Sequence, residues 1–259
     1  MVGIAFSSYC YPQETVIIDD FSSYKDTTQF LSSWNSRVDG YKQTLKDNSY
    51  YYYLRPDPLS KDKKYLCSSL RMFPKDFVRT DVKPEDIKMI LGDGYIKSVS
   101  LYKDYWLKKI RIGDLHERGK EVFMEWDWMA NKLPEGALEV KEKDDHAIAV
   151  YAVIYIGWMR FRVIKYVWSS TDGTGIIPSE IVKDENKMVS IVSNKKTPLG
   201  KWVHVRVNLS EDIKKFLPDN YNDVSISAVA VLSNSDNVKK PSEACIRDIK
   251  LTTQQEVQK

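Results

Sequence analysis

Histidine is scarce in this chain. His116, His146 and His204 are the only three in 259 residues, which excludes a His-rich metal site. Cysteine is as rare. Cys10, Cys67 and Cys245 are odd in number and lack CxxC spacing, so zinc and thioredoxin-type chemistry are unsupported. They read as buried or peripheral thiols, with a Cys67–Cys245 disulfide as the alternative in an exported protein. The sequence has no Gly-rich phosphate loop, no nucleophile elbow and no Cys/His pair at motif spacing. No apolar run approaches the ~18 residues of a membrane-spanning helix. Neither charge sign dominates: 39 basic and 36 acidic residues leave a net +3, too balanced to imply a nucleic-acid partner.

What the chain has in quantity is aromatic surface. Sixteen Tyr and seven Trp contribute to an aromatic content of 12%. Such rings suit strands, and they also suit flat surfaces on which sugars stack. The hydrophobic fraction of 42% is ordinary and allows a full core. The strongest strand signals are the runs His146–Ile156 and Phe161–Trp168, either side of Gly157-Trp-Met-Arg160, which predict a central hairpin. In the first run Ile148, Val150, Ala152, Ile154 and Ile156 share one face. Tyr151 and Tyr155 share the other with Ala147, Ala149 and Val153.

Further strands are predicted at Val16–Phe21, Ser49–Leu54, Tyr65–Phe73, Tyr95–Leu101, Tyr105–Ile112 and Glu121–Trp128. After the hairpin come Met188–Val192, Trp202–Leu209, Ser225–Leu232 and Ala244–Leu251. Pro56 and Pro58 are expected to end the second of these strands. A short helix or a loop is expected within Asp26–Val38, and a short helix over Ser210–Leu217 with Ser210 as its N-cap. Asp76–Asp93 is polar and marks the best internal boundary, itself weak. About a dozen strands with little helix rule against a parallel α/β sheet. They predict an antiparallel two-sheet β-sandwich of jelly-roll type. The expected layout is an N-terminal arm or signal-peptide remnant over 1–15, one sandwich domain over 16–252 and a tail over 253–259. Residues 2–14 read either as the end of a secretory signal without its basic region or as an apolar arm.

Several short pieces stand in one order: Glu125-Trp-Asp-Trp128, Leu133-Pro134, Asp144-Asp-His-Ala147, Val150-Tyr151, Tyr166-Val-Trp-Ser169, Gly200-Lys-Trp202, Asp212, Asn234-Ser-Asp-Asn237 and Asp248-Ile249. This order resembles the bacterial domain-of-unknown-function family 3047, over roughly Tyr95 to Leu251. The resemblance implies an exported protein, periplasmic or extracellular, and carries over no catalytic residue. Asn234 stands where the family more often has the first Asp of D-x-D-N. The ends are similar to galactose-binding-like carbohydrate-binding modules: Ile18-Asp-Asp-Phe21 with Trp34 at the start, and Ile246-Arg-Asp-Ile-Lys-Leu251 at the close. That resemblance implies neighbouring first and last strands, and a structural Ca²⁺ near Asp19, Asp20 and Asp248.

Three functions fit these residues. The first is a non-catalytic binder of a glycan or cell-envelope component. Its ligand face would be lined by Trp168, Tyr166, Tyr151 and Tyr155, with Asp145, Asp236 and Asn237 as polar neighbours. The second is an envelope structural domain whose aromatic face meets another protein. The third is a glycan hydrolase using Glu125 and Asp127, two apart on one strand face, or Asp145.

Overall fold

The computed structural model describes residues 15–38, 41–42, 52–70, 99–104, 119–140, 142–157, 160–235 and 237–255. In chain order they form β1 (Thr15–Asp19), α1 (Thr27–Ser33), β2 (Asn35–Val38), β3 (Tyr41–Lys42), β4 (Tyr52–Asp57), β5 (Ser60–Leu70) and β6 (Val99–Asp104). There follow β7 (Lys120–Lys132), β8 (His146–Ile156), β9 (Arg160–Trp168), β10 (Gly175–Ile176), α2 (Ser179–Val182) and β11 (Lys187–Ser193). The chain closes with β12 (Val203–Asn208), α3 (Leu209–Phe216), a 3₁₀ turn at Pro218–Asp223, β13 (Val224–Asn234) and β14 (Ser242–Gln255). The expected strand at Tyr105–Ile112 and the boundary at Asp76–Asp93 lie outside the described residues.

These strands make a two-sheet sandwich. One sheet has the order β12-β7-β14-β5-β4, with β1 also paired to β14; the other runs β10-β11-β9-β8-β13-β6-β2-β3. The expected hairpin is present, with β8 antiparallel to β9 and well inside the eight-stranded sheet. First and last strands are neighbours as expected, Val16 opposite Leu251. All pairs are antiparallel except β11 on β9. That exception follows from the long connection between them, which turns back across the sheet through β10 and α2 before β11 begins.

Alternation sorts side chains between the sheets. Val122, Met124, Trp126 and Trp128 of β7 point inward, and so do Ile148, Val150, Ala152 and Ile154 of β8. Rings bridge the layers. Trp128 of β7 lies 5.6 Å from Trp168 of β9, Trp126 lies 5.7 Å from Tyr166, and the two β7 indoles are 5.4 Å apart. A core spanned by four large rings leaves little tolerance for a missing one.

Two local expectations are corrected. Pro56 sits inside β4 rather than ending it. β4 is the last strand of its sheet, and an edge strand does not need every N–H. Helix α3 starts one residue earlier than expected, and its N-cap is Asn208, whose side chain accepts from the Glu211 amide. Ser210 is buried and accepts from the Val122 amide at 2.8 Å, tying the helix to β7.

The disulfide alternative is the one realised. Cys67 of β5 and Cys245 of β14 are directly opposite and bonded. They sit on the outward side of the smaller sheet, in a cluster with Tyr65 and Trp202.

At the chain start Asp19 organises a corner. One of its oxygens accepts from the Phe21 amide; the other accepts from the Tyr24 hydroxyl and the Trp34 indole. Asp20 accepts from the amide and hydroxyl of Ser22. Asp248 takes a left-handed backbone conformation (φ 54°), where β14 passes from pairing with β5 to pairing with β1. Among the described residues no group of three His, Cys, Asp or Glu side chains comes together as a metal site.

Candidate functional site

The expected aromatic face divides in two. Tyr166 and Trp168 are fully buried between the sheets, so neither can stack on a ligand. This corrects the sequence-based assignment, and register is the reason. Val150 lies opposite Tyr166 and Ala149 opposite Val167, so the even-numbered residues of β9 follow the even-numbered residues of β8 into the core. Each polar tip is satisfied there. The Tyr166 hydroxyl donates to Asp212 Oδ2 at 2.8 Å, and the Trp168 indole N–H donates to the Asn194 carbonyl at 3.2 Å. The motif residues Tyr166, Trp168 and Asp212 are thus a core lock.

Asp145 and Asn237 come together, but as a turn. Asp145 is fully buried, and its carboxylate accepts from the amides of Asn237 and Val238 and from the Asn237 side chain. Asp144 takes the other bond from that side chain at 3.1 Å. Residues 92 apart in sequence therefore fasten the turn after β13 to the start of β8. Asp236 lies outside the described residues.

The Glu125–Asp127 pair faces outward on β7 and is neutralised by neighbours. Burial alone would raise the Glu125 carboxyl. Hydrogen bonds from Thr252, Lys250 and Arg206 outweigh it and hold the group below its usual range. Asp127 is shared by His204 at 2.8 Å and Arg247 at 3.2 Å. A glycosidase acid needs the opposite shift.

The outer face of the eight-stranded sheet is where Tyr151 and Tyr155 point. Tyr155 is directly opposite Phe161 of β9, and both rings are solvent-exposed, by 37% and 56%. Val153 and Val163, the next outward pair, are half-buried. Beyond them Tyr151 lies opposite Lys165. At this end of the face lies a cavity of about 250 Å³, bounded by Glu139, Val140 and Asp144 and by residues in and just after α2. Its polar wall is made by Glu139, Asp144, Lys165, Lys183, Asp184 and Lys187, and its apolar wall by Val140, Val182 and Val189.

Glu139 and Lys165 were not singled out in the sequence. Lys165 is 1% exposed, with its ammonium 3.4 Å from the Asp144 carbonyl and 3.7 Å from the Asp144 carboxylate. Glu139 is 7% exposed and neither of its oxygens accepts a hydrogen bond. The nearby Ser169 hydroxyl bonds Thr171 instead. Burial pushes the Glu139 carboxyl up, against the opposing pull of Lys165 and Ser169. The signal that could have found them is weak: Lys165 is the one charge on the outward face of β9 between Val163 and Val167.

His146 begins β8, fully buried, with Nδ1 at 2.9 Å from the Asp144 carbonyl. Burial holds it well below the usual imidazole range, and Lys165 and Lys187 add to the effect. The sign of the consequence follows. Below pH ~6.5 the unfolded chain binds a proton that the folded chain refuses, so stability falls as pH drops through that value. One such group supplies at most about 1.4 kcal/mol per pH unit. Wild-type protein is expected to lose melting temperature between pH 7 and pH 5 more steeply than His146→Gln. Parallel curves would show that His146 titrates alike in both states. Glu139 acts in the opposite sense but is common to both proteins, so the difference isolates His146.

The fold and these faces define a disulfide-clasped β-sandwich with exposed rings and a polar cavity on one sheet face. The chain belongs to the family described as protein of unknown function (DUF3047), which matches residues 108–250. No protein with a curated description matches the sequence. Among solved structures it is similar to the family 30 carbohydrate-binding module of cellulosomal cellulase Cel9D-Cel44B of Clostridium thermocellum. The identity is 12% over 93% of this chain and 97% of that one, with a TM-score of 0.41. It is also similar to the family 11 carbohydrate-binding module of cellulosomal cellulase Lic26A-Cel5E of the same organism: 10% identity, 92% and 94% coverage, TM-score 0.35. A third is the xyloglucanase domain of NopAA, a type three effector from Sinorhizobium fredii, in complex with cellobiose: 8% identity, 85% and 93% coverage, TM-score 0.39.

Proposed function

We propose that this protein binds a glycan on the outer face of its eight-stranded sheet, without catalysing a reaction on it. One observation carries the reading. Tyr155 and Phe161 are opposed on neighbouring central strands with both rings open to solvent, on the same sheet face as a polar cavity. Exposed rings offer apolar surface to the C–H face of a sugar, and nearby charged and polar groups serve its hydroxyls. The half-buried Val153 and Val163 continue the apolar strip toward Lys165. Non-catalytic action fits the Glu125–Asp127 pair, whose carboxylates are held by Arg206, Lys250, His204 and Arg247.

The Cys67–Cys245 disulfide supports an oxidising location, periplasmic or extracellular, where cell-envelope glycans are met. The experiment is binding to immobilised envelope and plant polysaccharides. Tyr155→Ala and Phe161→Ala are expected to cost about 2 kcal/mol or more of binding each, at least about thirtyfold, as truncated aromatic anchors do. Their folding stability should change by no more than about 0.5 kcal/mol, since both rings are exposed. Binding that survives both truncations, or a specific protein partner captured through these rings in place of any polysaccharide, would overturn the reading.

A further inference from the structure

The cavity beside Lys165 is a better-built feature than the ring pair, and it constrains the ligand further. Glu139 is the informative group. A buried carboxyl whose two oxygens accept nothing destabilises the protein that carries it. It faces a cavity, where a ligand can supply the missing donors. Lys165, also buried, carries three donors, and its contacts with Asp144 are long.

The charges around the cavity are balanced, Glu139, Asp144 and Asp184 against Lys165, Lys183 and Lys187. Lys187 pairs with Asp184 at 3.4 Å, and Lys165 lies nearest Asp144. A ligand bearing a full charge would upset this balance of three charges of each sign. A hydroxyl group does not: it donates to a carboxyl oxygen and accepts from an ammonium at once. Val140, Val182 and Val189 supply an apolar wall suited to ring carbons. The volume, about 250 Å³, is below the ~300–1,000 Å³ of pockets that hold drug-sized ligands. It suits one sugar ring.

We propose that this cavity is the subsite for a single neutral monosaccharide unit, held by a vicinal hydroxyl pair between Lys165 and Glu139. The proposal deepens the glycan reading and rests on it for the rest of the chain of sugars. Lys165 is four residues beyond Phe161 on β9, about 13 Å along the strand. A glycan stacked on Tyr155 and Phe161 therefore reaches the cavity with a nearby unit of the same chain.

The test uses the whole protein and free sugars as probes: D-glucose, D-galactose, D-mannose and D-glucuronate, titrated by NMR or calorimetry. A neutral hexose is expected to bind the wild type. It should bind Lys165→Met about ten- to a hundredfold more weakly, the loss of a hydrogen bond to a charged group. Glu139→Leu gives a second readout that a merely structural residue would not. It is expected to raise the melting temperature, because an unsatisfied buried carboxyl is gone, while weakening the hexose at least tenfold. A lower melting temperature with unchanged binding in Glu139→Leu overturns the subsite. So does preference for glucuronate over every neutral hexose. Polysaccharide binding lost in Tyr155→Ala but intact in both cavity variants removes the subsite and leaves the ring platform standing. Hexose binding that depends on Lys165, with polysaccharide binding indifferent to Tyr155 and Phe161, does the reverse.

Discussion

Trp168→Ala is expected to destabilise the protein by about 3–5 kcal/mol, the range for removing a large buried aromatic ring. The indole is fully buried, lies 5.6 Å from the Trp128 ring and donates to the Asn194 carbonyl. Removing it opens a cavity at the point where β7 of one sheet meets β9 of the other. It also leaves the Asn194 carbonyl without that donor, at the segment where β11 ends. Relaxation should be slight, because Trp128 is held by its own hydrogen bond to Ser193. Trp168→Phe should cost less, keeping most of the volume and losing the N–H. Denaturant midpoints measure both. A stable Trp168→Ala protein that had lost glycan binding would show the ring to be a ligand contact.

The second large effect is expected from the disulfide. Cys67→Ala/Cys245→Ala should cost about 2–5 kcal/mol, near the top of that range if the effect is mainly chain entropy. The reason is the separation of 178 residues. Without the bond, the unfolded chain regains the freedom that such a long closed loop denies it. Wild-type protein melted with excess reductant should match the double variant. Equal melting temperatures with and without reductant would mean that the bond contributes nothing to stability. The expectation also bears on preparation: protein made in a reducing compartment should be the less stable form.

How far the sequence could be read is clearest at the central hairpin. The lengths of β8 and β9 were legible because both runs are dense in β-branched and aromatic residues, with Gly157 between them. What was not legible was which rings share a side. Tyr151 and Tyr155 are odd-numbered residues of β8, and Tyr166 and Trp168 are even-numbered residues of β9. They share a face only if the strands pair in a register that puts odd opposite even. The observed pairing, Ile156 with Arg160 and Tyr155 with Phe161, puts odd opposite odd. A shift of one residue would have exchanged the faces, and nothing local fixes that shift. With apolar residues on both faces, pattern alone cannot name the inner one.

The cavity was hidden for a different reason. Glu139 reads as a loop charge and Lys165 as a surface lysine, because charge in sequence predicts exposure. Only the fold shows that Glu139 and Lys165 line one cavity. The same holds for Asp145 and Asn237, whose contact joins segments 92 residues apart. The first and last strands were easier. β1 and β14 showed their pairing through the resemblance of the chain ends to another sandwich family, and the register of Val16 with Leu251 bears it out.

Pro56 has a further consequence at the level of crowding and self-association. A sheet edge recruits other chains through its row of unused N–H and C=O groups. β4 lies at such an edge, and there the proline has no N–H to offer, so one rung of any added strand is missing. Arg55 and Pro56 are both exposed, which puts a fixed charge beside the gap. At one end of the eight-stranded sheet, β10 is two residues long, too short a template for a stable new ladder. Replacing Pro56 with Val would restore the missing rung along this six-residue edge strand, and so make the concentrated protein prone to stack edge to edge.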